Sequence, residues 1–251
     1  MNIICVIPAR YGSTRFPGKP LVEILGKPMI QWVYEKARAS QLLRGVLVAT
    51  DDLRIYDAVE SFGGNCVLTS EQYPSGTDRI ADAVHGLEFD AVLNLQGDEP
   101  LMDVRTIDLV LRTFIDDVER EIATAMVAIR DEQEFLSADA VKVVVDSQGY
   151  ALYFSRAPIP SQERVVPSAQ RQPAVYGFKH LGLYCYRKDI LLRFPQIQPT
   201  RLEQIEQLEQ LRFLEHGFRI RVAETPYDSK GVDTPEDLAW VKGHLEGETT
   251  T

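Results

Sequence analysis

Four short stretches of this 251-residue chain carry side chains whose types and spacing suit phosphate and metal chemistry. The first is Pro8-Ala9-Arg10-Tyr11-Gly12-Ser13-Thr14-Arg15-Phe16-Pro17-Gly18-Lys19. A polyphosphate needs backbone N–H groups that can approach closely and cations that offset its charge. Gly12 and Gly18 permit the approach, while Arg10 and Arg15 offer forked contacts and Lys19 a compact point charge. No acidic residue precedes Glu23, so the local field is positive. The loop is not a Walker A motif, because Pro20 stands where Ser or Thr coordinates the metal and the glycine spacing differs. The chain also lacks a Gly-x-Gly-x-x-Gly dinucleotide fingerprint.

The other stretches are Thr50-Asp51-Asp52, Ser75-Gly76-Thr77-Asp78-Arg79 and Gln96-Gly97-Asp98-Glu99-Pro100. Asp98, just past an apolar run, suits Mg2+ held through one carboxylate while phosphate oxygens complete the octahedron. It suits a turn or a helix cap equally well. Asp233 has the same two readings, since it could cap the last helix together with Thr234. Asp51 and Asp52 read as caps of the helix that follows them. Glu206 and Gln210 share one helix face at i, i+4 spacing, for which a solvated face is the simplest account. His180 is a candidate sugar contact; His85, His216 and His244 read as surface or helix-end residues.

The elements that must position these residues follow from hydrophobic periodicity. Residues 2–7, 45–49, 66–68 and 91–95 are short apolar runs bounded by turn residues, and predict strands. Met29, Ile30, Val33 and Ala37 mark one helix, with Pro28 in its first turn, and Ile55, Ala58, Val59 and Phe62 mark another. A third is predicted over 80–87. This alternation predicts an α/β fold: a mainly parallel sheet, right-handed crossovers and helices on both faces. Ligands bind at the carboxyl ends of the strands of such sheets, which gathers the four stretches at one edge.

The second half has a different pattern. Residues 140–145 and 150–154 flank Asp146-Ser147-Gln148-Gly149 and predict a hairpin. A proline-rich loop over 157–175 follows, then a strand at 181–186 and one helix over 202–213. The last helix opens at Thr234-Pro235-Glu236-Asp237, a capping box with proline at the first helical position. The chain therefore reads as one domain, 1–251, with an insertion near 140–190.

A net charge of -10 and a pI near 5.0 argue against a nucleic-acid binder, which normally shows a basic face. The N-terminus lacks a basic n-region and no apolar run reaches spanning length, so a cytoplasmic, membrane-free protein is expected. Cys5, Cys66 and Cys185 are scattered, which fits reduced thiols and neither a disulfide framework nor a zinc site.

With these motifs in view, the chain resembles the 3-deoxy-manno-octulosonate cytidylyltransferases, the CMP-KDO synthetases of lipopolysaccharide assembly. The resemblance is carried by the stretch from Ile7 to Leu21, by Ala49-Thr50-Asp51, Ser75-Gly76-Thr77-Asp78-Arg79 and Gln96-Gly97-Asp98-Glu99-Pro100. It continues through Ala151-Leu152-Tyr153-Phe154-Ser155-Arg156, His180-Leu181-Gly182-Leu183-Tyr184, Leu208-Glu209-Gln210-Leu211-Arg212 and Gly231-Val232-Asp233-Thr234-Pro235-Glu236-Asp237. The related sialic acid enzymes carry Gly-Gly-Ser-Lys in the first loop, where this chain has Tyr11-Gly12-Ser13-Thr14-Arg15.

The resemblance implies a Rossmann-like nucleotide-diphospho-sugar transferase fold, Mg2+ dependence and a homodimer joined through a hairpin subdomain. It implies catalytic roles for Lys19, Asp98 and Asp233, the two aspartates holding the metal. The implied nucleotide and phosphate set is Pro8, Ala9, Arg10, Gly12, Ser13, Arg15, Lys19 and Gln96, with Ser75, Gly76, Thr77 and Arg79 around the cytidine. Arg156, His180, Tyr184, Glu206, Glu209 and Gln210 would surround an acidic 3-deoxy sugar (KDO). The implied reaction is attack by the sugar's anomeric hydroxyl on the α-phosphorus of CTP. An 8-amino form of the sugar, or a KDO pool serving capsule synthesis, would leave every one of these motifs unchanged. A metal-dependent glycosyltransferase is disfavoured because the chain contains no Asp-x-Asp. A non-catalytic CTP sensor would not need the Arg156, His180 and Gln210 set.

Overall fold

A computed structural model describes residues 1–12, 16–73, 75–119, 121–161 and 175–249. The expectations for Ser13 and Arg15, and for most of the proline-rich stretch, lie outside the described residues. The chain divides into two compact units: Met1–Asp108 with Cys185–Pro195 and Ser229–Thr251, and Leu109–Tyr184 with Gln196–Asp228.

In the first unit, four parallel strands lie in the order Ala91–Asn94, Ile3–Ala9, Gly45–Thr50, Cys66–Leu68. Ile3 pairs with Ala91, Ile4 with Gly45 and Val48 with Cys66. Six of the seven residues of Ile3–Ala9 are buried, as expected where a strand is covered on both faces. This strand runs on to Ala9, so Arg10 stands at its carboxyl end.

Helix Met29–Ala39 buries Met29, Ile30, Val33, Tyr34 and Ala37, a single 3.6-period face. Pro28 precedes that helix in extended conformation and is not in its first turn. Asp52 caps Leu53–Ser61 by accepting from Arg54 N–H, whereas Asp51 is engaged elsewhere, by Arg79. The third helix is Gly76–Ala83, shifted toward the N-terminus from the predicted 80–87. Ser75 supplies the reason, accepting from Asp78 N–H as an N-cap that periodicity alone does not register.

The last helix, Pro235–Thr249, has the predicted capping box: Thr234 N–H donates to Asp237 at 3.0 Å, and Asp237 N–H to Thr234 Oγ1 at 3.2 Å. Its Val241 and Leu245 pack with Ile24, Met29 and Val232 in one cluster. Among the described residues no helix is long and apolar enough to cross a membrane.

In the second unit, Ile122–Ile129 pairs in parallel with Ile220–Thr225, Ile220 opposite Ile122. The sequence reading marks neither strand, and Ile-Ala-Thr-Ala-Met-Val-Ala-Ile is rich in alanine, a weak strand former. The predicted hairpin is present as Lys142–Val145 and Ala151–Ser155, antiparallel. Asp146 Oδ1 accepts from Gln148 and Tyr150 N–H across its turn, and Gly149 supplies a φ of +81°. Lys142–Val145 also pairs with strand Gly177–Arg187.

The single helix predicted over 202–213 is two, Arg201–Glu206 and Gln210–Glu215, broken where Gln207 adopts φ 54°. The break has a tertiary cause, because the Glu206 carbonyl accepts from Arg156 Nε at 2.9 Å.

Candidate active site

Gly18 turns the first loop with φ 72° and donates its N–H to Tyr11 O at 2.9 Å. A Cβ there would sit 3.1 Å from the Tyr11 ring, so glycine suits both the backbone and the packing. Arg54, held by both oxygens of Asp52, lies 3.4 Å from the centre of the same ring. The sequence reading missed Arg54 because a ring contact between residues 43 positions apart leaves no periodic signal.

This turn delivers Lys19, buried, to two carboxylates. Its Nζ lies 2.6 Å from Asp98 Oδ2 and 3.0 Å from Asp233 Oδ1, residues 79 and 214 positions away. Burial draws the ammonium's pKa down, but Asp98 and Asp233 more than offset this and the net shift is upward. Asp233 therefore turns its carboxylate to Lys19 while Thr234 takes the capping position.

One backbone and one side-chain bond tie the two acidic segments together independently of Lys19. Val232 N–H donates to Asp98 O at 2.9 Å, and Ser229 Oγ donates to Glu99 Oε2. A Cβ on Gly97 would meet Pro8 O at 3.0 Å, and one on Gly231 would meet Glu99 Oε1 at 3.1 Å. Glu99 thus ties the Asp233 segment to the Asp98 turn. Sequence reasoning gave Glu99 no role, although its place beside Asp98 was the available signal.

The pair fits magnesium. Both groups are hard, acceptor-only carboxylates already arranged around one cation. Among the described residues no set of three or more metal-ligating side chains is gathered. One or two carboxylates with substrate phosphates is the usual way such sites hold Mg2+.

Around these residues, Pro8 and Ala9 are buried at the strand end, and Arg10 and Gly12 are exposed. A Cβ on Gly76 would sit 3.4 Å from Pro8 and 3.9 Å from Gln96, whose amide donates to Asn94 Oδ1 at 2.9 Å. Ser75 and Gly76 open a helix N-terminus, and Thr77 is buried in its first turn. Arg79, expected near the cytidine, has its guanidinium buried and engaged by Asp51 and Thr69. It braces the first turn of that helix.

The second unit holds the residues expected around a sugar. Glu206 is neither on a solvated face nor open. Its carboxylate accepts from Ser155 Oγ at 2.6 Å, Arg156 N–H at 2.9 Å and Tyr153 OH at 3.3 Å. Burial raises its pKa, these donors outweigh that, and the net shift is downward.

Arg156, expected near the sugar, bonds Glu206 O and, at 3.0 Å, Ala138 O through its guanidinium. Fully buried Lys142 completes the knot, donating to Ser137 O at 2.7 Å, Arg156 O at 2.6 Å and Ala140 O. His180 Nε2 lies 2.9 Å from Thr124 Oγ1, which itself donates to Leu183 O at 2.7 Å, so Nε2 carries the ring proton. The ring sits between Phe154 and Tyr184, and burial lowers its pKa to about 3. His180 is therefore neutral at ordinary pH. Gln210 is buried at the start of its helix and Glu209 is exposed.

Comparison with known proteins adds an independent line. A family model described as cytidylyltransferase matches residues 4–220. A 3-deoxy-manno-octulosonate cytidylyltransferase from Thermodesulfovibrio yellowstonii is 50% identical over 247 residues, covering 95% of this chain and 96% of that protein. One from Geotalea uraniireducens is 47% identical, covering 98% of this chain and all of the other. A solved CMP:2-keto-3-deoxy-manno-octonic acid synthetase complexed with CTP superposes with a TM-score of 0.90 at 42% identity, covering 99% of this chain and 100% of that one.

Proposed function

The chain belongs to the 3-deoxy-manno-octulosonate cytidylyltransferases, and on that premise we propose that it transfers CMP from CTP to 3-deoxy-D-manno-octulosonate. The anomeric hydroxyl oxygen bonds to the α-phosphorus while the bond from that phosphorus to the bridging oxygen breaks, releasing pyrophosphate. The product serves lipopolysaccharide synthesis.

The observation that carries this reading is the meeting of Lys19, Asp98 and Asp233 from three distant segments. Asp98 and Asp233 would hold Mg2+, which supplies Lewis-acid charge to the phosphate oxygens when bound. Lys19 offsets charge that develops on the triphosphate, with Arg10 adding a guanidinium at the strand exit. Ser75 and Gly76 offer backbone donors at a helix N-terminus, a favoured place for an electron-rich ligand. In the second unit, neutral His180, Tyr184, Glu209 and Gln210 contact the sugar, while Arg156 and Glu206 shape the end of the hairpin.

The test is pyrophosphate release from CTP and Mg2+ with KDO, 8-amino-KDO or sialic acid. Release is expected with KDO. Preference for sialic acid overturns the substrate, and release with no sugar present overturns the transfer.

Leu152, 62% exposed on hairpin strand Ala151–Ser155, supports a second proposal, that two chains pair through the hairpin. Light scattering that reads a monomer at working concentrations removes it. The proposed location is the cytoplasm, where CTP is available; recovery in a membrane fraction would contradict it.

A further inference from the structure

The carboxylates assigned to magnesium already have a cation. Lys19 Nζ lies 2.6 Å from one and 3.0 Å from the other, with 11% of its side chain exposed. Two adjacent carboxylates without a counter-charge repel each other. Here the backbone holds them close through Val232 N–H on Asp98 O, so something must balance them before substrate arrives. A divalent ion approaching the same oxygens meets the ammonium as a like charge at short range.

The lysine can move away without disturbing the loop. Its backbone is set by the Lys19–Leu21 turn and the left-handed Gly18, while four rotatable side-chain bonds let the ammonium swing. A triphosphate offers it new oxygens of higher charge.

We propose that Lys19 is the resident counter-ion of Asp98 and Asp233 in the nucleotide-free protein and yields the pair only when a triphosphate draws its ammonium away. The divalent ion accordingly enters with the nucleotide and not before it. The inference rests on the reading of Asp98 and Asp233 as metal residues, and it gives Lys19 a role before chemistry begins.

The experiment measures Mn2+ binding by the full-length protein without nucleotide, from the EPR signal of free Mn2+. Wild type should bind weakly and Lys19→Met at least tenfold more tightly. Lys19→Arg, which keeps the charge, should stay weak, and Lys19→Met with Asp98→Asn should lose the gain. Circular dichroism checks folding, and Lys19→Gln carries the same comparison if Lys19→Met does not fold.

Equal affinity in wild type and Lys19→Met overturns the proposal. So does tight binding by Lys19→Arg, or a gain that survives Asp98→Asn. Wild-type turnover with CTP and KDO is measured alongside. Its absence would sink the functional reading, whereas normal turnover with unchanged Mn2+ affinity would sink the counter-ion role alone.

Discussion

Two charge clusters, one in each unit, are built in opposite ways. In the first, Asp98 and Asp233 keep side-chain exposures of 33% and 48% and share one flexible ammonium. In the second, Glu206 is bonded by Ser155, Tyr153 and the Arg156 backbone, and Lys142 is fully buried on three carbonyls. The first arrangement can exchange one cation for another. The second is a closed knot in which each donor has a fixed acceptor, and removing one member strands the rest. Carboxylates that must exchange cations are left partly solvated, and charge that must hold is saturated.

The contrast is tested most severely by turnover. Asp98→Ala and Lys19→Ala should stay folded and lose pyrophosphate release by roughly 10²–10³-fold, about 3–4 kcal/mol of barrier. Steady-state assays at saturating CTP check this, and near-normal turnover in either variant would remove its assigned role.

Lys142→Met should behave oppositely. It removes the shared donor of three carbonyls, so a stability loss on the order of 3 kcal/mol is expected in urea denaturation. The folded fraction should retain turnover within a few-fold, and a pure turnover defect at unchanged stability would erase the distinction between the units.

Glu206→Gln should cost about 1–2 kcal/mol at pH 7. The native-state pKa of Glu206 is lowered, so its contribution is present above the ordinary carboxylate value and lost as pH falls through the lowered one. The gap between variant and wild type should narrow as urea midpoints are followed from pH 7 toward pH 3. A gap that widens in acid would contradict the assignment.

The smallest effect belongs to Arg54→Ala. An exposed cation–aromatic contact contributes little to stability. A two- to five-fold rise in KM for CTP is expected with kcat unchanged, because Tyr11 and not the chemistry loses support. A kcat defect would move Arg54 into the reacting group.

How much of this was legible depended on whether the signal was local. The first unit's strands were, since Ile3–Ala9 and Ala91–Asn94 are nearly unbroken apolar runs. Ile122–Ile129 was not, because its alanines carry little strand preference and its partner Ile220–Thr225 lies far along the chain. The helix break at Gln207 was hidden for a related reason: Leu202, Ile205, Leu208 and Leu211 keep helical spacing, and the carbonyl bond from Arg156 overrides it. The acceptors that the folded chain gives Arg79 and Arg156 were hidden as well, since they come from segments distant in sequence.

The sequence by itself determined the local caps. Asp52 before its helix and Thr234 with Asp237 each act within a few residues, where spacing fixes geometry. Only the tertiary structure decided which carboxylates meet Lys19. A charge pairs with whatever the folded backbone brings within about 3–4 Å, and Asp98 and Asp233 are brought there from 79 and 214 positions away.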